Sequence, residues 1–402
     1  MGQASEIGGG ILSKRIDDRT MILFFGPQHP SSGHMRIIVK LDGDIIVESD
    51  PDLGYVHRTM EKLSESKEWI KNSVLFERLA ILDAGNVTQA YIIALEKLLG
   101  IEVPPRALYL RTILSEINRI SSHLYGMGIF AIMIGSSTGY MWFFGDREIM
   151  VQLAERITGS RLTHSYHIPG GVRRDVSPAF FEELERGLNY IERRLKDYEV
   201  MFVNNPIIRS RLENVGVLSK ERAIELGVTG PNLRASGVSY DVRVEEPYGA
   251  YSFVDFEVPV YREGDALART FQRFDEIRQS ISILRQLMKS IPEGPVLNEK
   301  YLKLFTSKMK DVLNAERRVK LPSLFANLRP PPGRSYGRVE EGRGEIFFYI
   351  ESTGDPRPYR VRVVTPSFRN SILFKYLPVG ERLADLPAIY GSIDYFPPEA
   401  DR

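Results

Sequence analysis

The chain has no cysteine among its 402 residues. That absence excludes disulfides, thiolate-bound zinc, iron–sulfur ligation by thiolates and cysteine nucleophiles together. A surplus of charge is missing as well: 53 basic residues stand against 52 acidic ones, a net charge of +1. A general nucleic-acid binder carries a basic excess, so no nucleic-acid partner is expected. The segment from Met1 to Thr20 holds Gly8-Gly9-Gly10 and charged residues but no apolar core segment. A secretory signal is therefore not expected, and a cytoplasmic-side protein is.

Long apolar runs are scarce too. One uncharged stretch, Leu124 to Gly145, is long enough for a membrane span. It carries five glycines and a Ser136-Ser137-Thr138-Gly139 break, which predicts two buried pieces flanking a turn. Within it, Gly126-Met-Gly128-Ile-Phe-Ala131 has glycines spaced as in a dinucleotide fingerprint, but a helical pattern precedes it where a strand is required. No dinucleotide site is expected.

What is present is a globular composition, 43% hydrophobic, sufficient for a large core. Residues 1–20 read as a flexible tail. Residues 21–56 read as an N-terminal β-hairpin region, because MILFF, RIIVKL and DIIVES alternate and Asp42-Gly43 is a short-hairpin turn signal. From about His57 the period becomes helical, and residues 57–328 read as a helical core. Leu110, Ile113, Ile117, Ile120 and Leu124 mark one helix face, with Arg106, Arg111 and Arg119 off it. Ser177-Pro178 is an N-cap pair opening a helix striped by Phe181, Leu184, Leu188, Ile191, Leu195 and Tyr198. Another long helix starts near Asp265 and stops before Pro292-Glu293-Gly294-Pro295. Residues 329–402 read as a loop, from Arg329-Pro-Pro-Pro-Gly-Arg334 to Gly344, followed by a small α/β part with strands in GEIFFYI and YRVRVV. The expected fold class is α+β, predominantly helical.

Six segments, in order along nearly the whole chain, carry a resemblance. They are Gly26-Pro-Gln-His29-Pro-Ser; Gly54-Tyr-Val-His57-Arg58 with Glu61-Lys62; Ala94-Leu-Glu-Lys-Leu-Leu-Gly100 with Pro104-Pro105-Arg106; Pro169-Gly-Gly; Leu233-Arg-Ala-Ser-Gly-Val-Ser-Tyr-Asp-Val-Arg243; and Arg357-Pro-Tyr-Arg360. Together they resemble the quinone-site (D) subunit of complex I, the NADH-quinone oxidoreductase, which is related to nickel-iron hydrogenase large subunits. The resemblance implies a hydrogenase large-subunit-like helical core, closed by the C-terminal region over a former metal site.

Hydrogenase large subunits hold nickel with two Cys-x-x-Cys pairs, the first following Glu-Arg. Here Glu77-Arg78 is followed by Ala80 and Asp83 at the thiolate positions, and the second pair is represented by Phe396 and Glu399. Without thiolates a soft-ligand nickel-iron centre cannot be held, so no metal is expected and hydrogen chemistry is rejected. In the family the emptied cavity receives the quinone headgroup, beside an iron–sulfur cluster of a neighbouring small subunit. Quinone reduction takes two electrons and two protons, so the pocket needs apolar walls and a hydrogen-bond donor. The resemblance assigns the donor role to a hairpin-loop histidine, a tyrosine after the first lost cysteine and an aspartate partner. This chain departs from that pattern at all three places. The loop reads His29-Pro-Ser-Ser-Gly33-His34, one residue shorter than usual, the tyrosine position is Ile81 and the aspartate position is Met133. His34 is the candidate headgroup donor, with His29, Ile81 and Met133 as candidate quinone-binding positions.

Each remaining candidate carries a structural reading beside the functional one. His29 fits a turn hydrogen bond as well as a ligand contact, His57 fits packing, and His123 fits a satisfied buried histidine. His164 and His167 are candidate proton relays. Arg78 fits either a pair with Glu77 or Asp83, or a cation near the partner's cluster. The resemblance implies a peripheral-arm subunit on the cytoplasmic side of the cell membrane. Its expected partners are the small iron–sulfur subunit, other peripheral-arm subunits, a membrane-arm quinone-channel subunit and quinone itself. It binds no cofactor alone, and electron transfer through it drives proton translocation elsewhere, with NADH the conventional donor. Two alternatives stay open: a related complex using a non-quinone acceptor such as sulfur species, and a purely structural scaffold subunit.

Overall fold

The computed structural model describes residues 5–8, 11–29, 33–298 and 328–402. The chain opens with a five-stranded antiparallel meander, β1 (Ser5–Gly8), β2 (Ile11–Arg15), β3 (Thr20–Phe25), β4 (Arg36–Asp42) and β5 (Ile45–Asp52), hydrogen-bonded in that order. Alternation decides which face packs: Ile37, Val39 and Leu41 of β4 are buried, while Ile38 and Lys40 are only half-buried. The turn from β4 to β5 is the expected one, with Gly43 at φ 64°. The first twenty residues depart from the expected flexible tail, because β1 and β2 lie within them. The Asp17 carboxylate accepts from the backbone N–H of Arg19 at 2.8 Å and of Thr20 at 2.7 Å, folding β2 back on β3. The free edge of β3 is thereby paired.

The helical layer is built on α1 (Ala84–Leu99), α2 (Pro105–Met133), α3 (Ser137–Thr158), α4 (Pro178–Tyr198) and α5 (Ala266–Ser290), with shorter helices between them. The uncharged stretch is split as expected: α2 ends at Met133, Gly135 takes φ 89°, and the Ser136 side chain accepts from Gly139 N–H to start α3. Among the described residues no helix is long and apolar enough to cross a membrane. Gly126 to Ala131 lies inside α2, with no strand before it, so the dinucleotide fingerprint is a coincidence of spacing. The α4 stripe from Leu184 to Tyr198 is buried, and Asp265 caps α5 by accepting from Ala268 N–H at 2.7 Å.

Two departures matter for the site. Arg111 and Arg119 lie off the apolar face of α2, yet both are buried, because α2 is packed on every side. Arg111 is held by a two-pronged pair with Glu96 at 2.6 and 2.9 Å, and Arg119 donates to the carbonyl of Glu341 at 3.0 Å. The segment expected as a loop to Gly344 is instead strand β6 (Gly333–Glu341), which pairs with β7 (Gly344–Ser352); β8 (Arg360–Val364) pairs on the other side of β7. Gly337 is there for close approach: a Cβ on it would stand 2.1 Å from the carbonyl oxygen of Ala90 in α1. Helices α6 (Leu386–Ile393) and α7 (Pro397–Asp401) close the described fold. The part of the expected helical core at 299–327 lies outside the described residues.

Candidate functional site

Ala80 is fully buried and precedes a single 3₁₀ turn, Ile81–Asp83, that leads directly into α1. The Asp83 carboxylate is buried and accepts from Asn86 Nδ2 at 2.8 Å and from Gly342 N–H at 3.2 Å. At the other end of the chain, Asp394 terminates α6 in the left-handed conformation, φ 57°, and Phe396 precedes α7. Glu399 in α7 is fully buried and accepts from Ser367 N–H at 3.0 Å and from Ser367 Oγ at 2.8 Å.

Arg343, in the turn from β6 to β7, draws these pieces together. Its guanidinium lies 3.8 Å from Asp83 and 3.5 Å from Asp394, and it sits over the Phe396 ring at 5.3 Å. Asp83 and Phe396 therefore meet at Arg343, on which the charges of Glu341 and Glu399 also act, while Ala80 lies three residues before Asp83. Ala80 and Phe396 offer no donor atom, so the residues present do not fit a nickel-iron centre.

Asp83, Glu341 and Glu399 form a buried set of acids around Arg343. Burial pushes Glu341 well above the usual carboxyl range, the adjacent Glu399 and Asp83 raise it further, and Arg343 alone opposes them. Burial likewise raises Glu399, with Arg343 again the main opposing charge. Both shifts run toward the protonated form, that of Glu341 the further. Arg343 and Glu341 were missed in the sequence because they fall in the stretch that reads as a loop.

The hairpin side is separate but joined through α6. Gly33 N–H donates to the carbonyl of His29 at 2.8 Å, and His34, the next residue, is exposed. Pro30 to Ser32 lie outside the described residues. His29 is half-buried with its ring edge-on to Phe25, and burial lowers its pKa. A Cβ built on Gly33 would lie 3.4 Å from the Tyr390 hydroxyl and 3.6 Å from Pro397, so the tip rests on α6 and α7. One residue along α6, Gly391 packs against Phe130 and Met133 of α2, with 3.3 Å from its notional Cβ to the Met133 sulfur. Gly126, one turn below Phe130, leaves room for the Asp394 carboxylate, which a Cβ would meet at 2.6 Å. The structure thus brings the hairpin tip and Met133 to one helix, whose far end reaches Arg343. Ile81 lies instead beside Asp83, in the 3₁₀ turn before α1.

The other candidates fall into place individually. Arg78 is exposed, donates to the carbonyl of Val74 and makes no ion pair with Glu77 or Asp83 among the described residues. Glu77 is buried instead against Ser165, accepting from its N–H and from its Oγ at 3.2 Å, and burial raises it to about 7. His57 lies against the carbonyl of Asp401, and His123, fully buried, is 3.0 Å from Glu276. The relay reading of His164 and His167 meets an obstacle. Burial holds His164 down at about 4 and His167 well below its usual value, so both stay neutral at pH 7.

A family profile described as "Respiratory-chain NADH dehydrogenase, 49 Kd subunit" matches residues 133–402. The chain belongs to that family. It is 39% identical over 387 residues to an NADH-quinone oxidoreductase D-type subunit of Chloroherpeton thalassium, covering 96% of this chain and 88% of that protein. To the corresponding D-type subunit of Syntrophobacter fumaroxidans it is 39% identical over 391 residues, covering 96% of this chain and 98% of the relative. Among solved structures it resembles a chain of the membrane-bound sulfane sulfur reductase, an archaeal respiratory membrane complex. The TM-score there is 0.88 at 38% identity, covering 97% of this chain and 100% of the other. Membership of the 49 kDa family makes this chain one component of a multi-subunit, membrane-associated respiratory oxidoreductase, with the α+β fold expected.

Proposed function

We propose that this chain forms the quinone-reduction cavity of a complex I type oxidoreductase, in which electrons arrive from an iron–sulfur cluster of an adjacent small subunit. One observation carries the reading: the hairpin tip and the emptied metal site are joined by α6, with Gly33 seated at Tyr390 and Arg343 against Asp394. The surroundings suit a neutral ring, for which the half-buried Ile81 and Met133 supply apolar surface.

Within this reading His34 is the headgroup donor and His29 supports the loop beside it. Burial makes Glu341, and less strongly Glu399, hold a proton more tightly than an exposed glutamate does, which suits a proton store beside the proposed acceptor. Arg78 presents an exposed cation toward the small subunit's cluster, and a component of the membrane arm supplies the quinone. The chain itself associates peripherally on the cytoplasmic side, and its redox step is coupled to proton translocation in other subunits.

A second reading has specific support. A solved relative that matches 97% of this chain is named as a sulfane sulfur reductase, at 38% identity against 39% for the quinone-named relatives. The purified complex, reduced by a low-potential donor and offered either a short-tailed quinone or polysulfide, separates the two. Quinone turnover at least tenfold above polysulfide turnover is the expected result. The reverse preference would replace the quinone reading, and reduction of neither would leave the chain a scaffold.

A further inference from the structure

Among the described residues, a hollow of about 320 Å³ is lined by Arg362, Arg369 and Arg402 over a floor of Leu226, Phe368 and Ile372, and no acidic side chain lines it. We infer that this hollow receives an acidic segment of another subunit of the respiratory complex, whose carboxylate pairs with Arg362 and Arg402 while an adjoining apolar side chain fills the floor. The inference holds whichever acceptor the complex reduces.

Strand alternation puts the charge at the surface. Val361 and Val363 of β8 are buried, so Arg360 and Arg362 point outward. The acids nearby are already engaged: Glu345 pairs with Arg369 at 2.9 Å, and Glu61 faces Arg360 at 3.5 Å and Arg402 at 3.6 Å. Arg362 is exposed and makes no hydrogen bond or ion pair among the described residues, and Arg402 Nη1 is buried without a hydrogen-bond partner. Burial lowers the Arg402 pKa, Glu61 opposes that shift, and the charge of Arg362 lowers it further. A carboxylate placed between the two guanidinium groups relieves that repulsion and can accept from both. The Phe368 ring is 43% exposed and carries the Arg402 guanidinium at 4.1 Å. Arginine set around an exposed aromatic ring is the composition of a protein interface, and membership of a multi-subunit complex supplies the partner. The hollow also backs onto the emptied metal site. The short helix Pro366–Asn370 brings Phe368 and Arg369 to the hollow, while its buried Ser367 holds Glu399 through N–H at 3.0 Å and Oγ at 2.8 Å. A partner seated there therefore braces the helix that positions Glu399.

The test uses the purified complex and two variants of an exposed residue that the fold does not need. Arg362→Lys keeps the positive charge and adds a primary amine, which a carbodiimide joins directly to a carboxylate in contact with it. Peptide mapping should find position 362 linked to an aspartate or glutamate of another subunit, a link that wild type lacks. Arg362→Glu reverses the charge. The sodium chloride concentration that releases half of this subunit from the complex should fall about twofold or more, because a charge pair at an interface rim is lost and replaced by repulsion. Links from position 362 to Glu61 or Glu345 of this chain alone, or no link while other inter-subunit links form in the same sample, would overturn the inference. A salt profile of Arg362→Glu equal to wild type would overturn it too. Weaker binding of that variant complex to phosphatidylglycerol vesicles, with the salt profile unchanged, would assign the hollow to lipid phosphate instead of a subunit.

Discussion

The Arg343 guanidinium stands 3.8 Å from the Asp83 carboxylate, joining the turn between β6 and β7 to the 3₁₀ turn that opens α1. Both side chains are almost completely buried, and Arg343 is also the principal cation facing Glu341 and Glu399. Removing it leaves the buried Asp83 carboxylate without its ion-pair partner. Arg343→Met is expected to cost about 3–5 kcal/mol, because breaking one side of a buried ion-pair set strands the remaining charges. The thermal midpoint of this subunit's transition in the purified complex measures it. A midpoint equal to wild type at about pH 8 would mean that the acids are satisfied by other groups.

Glu341 sets a pH dependence of definite sign. Its folded pKa is raised above the ordinary 4.5 by burial and by Glu399 and Asp83. The folded protein therefore keeps a proton that the unfolded chain releases, and stability declines as pH rises above that ordinary value. Glu341→Gln carries no titratable group, so its thermal midpoint should match wild type near about pH 5 and exceed it near about pH 9. Parallel profiles for the two proteins would show that Glu341 is ionised in the fold.

Glycine positions offer a contrast that tests the fold itself. A Cβ at Gly337 would collide with the Ala90 carbonyl at 2.1 Å and the Ala94 nitrogen at 2.8 Å, both backbone atoms of α1. Gly337→Ala should therefore cost about 3 kcal/mol or more and prevent incorporation of the subunit. Gly145 lies within α3 with nothing within 4 Å of a notional Cβ. Gly145→Ala should stabilise by about 0.5–1 kcal/mol, the usual gain in a helix interior. Subunit content of the purified complex distinguishes the two outcomes, and normal incorporation of Gly337→Ala would contradict the β6 placement.

Local chemistry made much of this fold legible from residues alone. The Asp42-Gly43 turn, the break at Ser136 to Gly139, the start of α5 at Asp265 and the α4 stripe depend on neighbours within a few residues, and each lies where its residues predict. Strands β1, β2 and β6 were not legible, since their existence depends on pairing and on packing against distant backbone. Gly337 shows why: a glycine among charged residues reads as a loop until α1 is seen lying against it. The same limit applies to the site. Ala80, Asp83, Phe396 and Glu399 were singled out by resemblance, whereas Glu341 and Arg343 enter only because the chain folds them inward. Arg111 and Arg119 belong to the same class, as charges whose partners are remote in sequence.

On the proposed function the acceptor is reduced at the hairpin tip carrying His34. The most direct measurement of this is quinone-dependent turnover by the assembled complex with a low-potential donor, comparing wild type with His34→Ala. A loss of about tenfold or more in kcat is expected for the variant, with subunit composition and electron flow to ferricyanide unchanged. Turnover within about twofold of wild type would contradict it and remove His34 from the acceptor site.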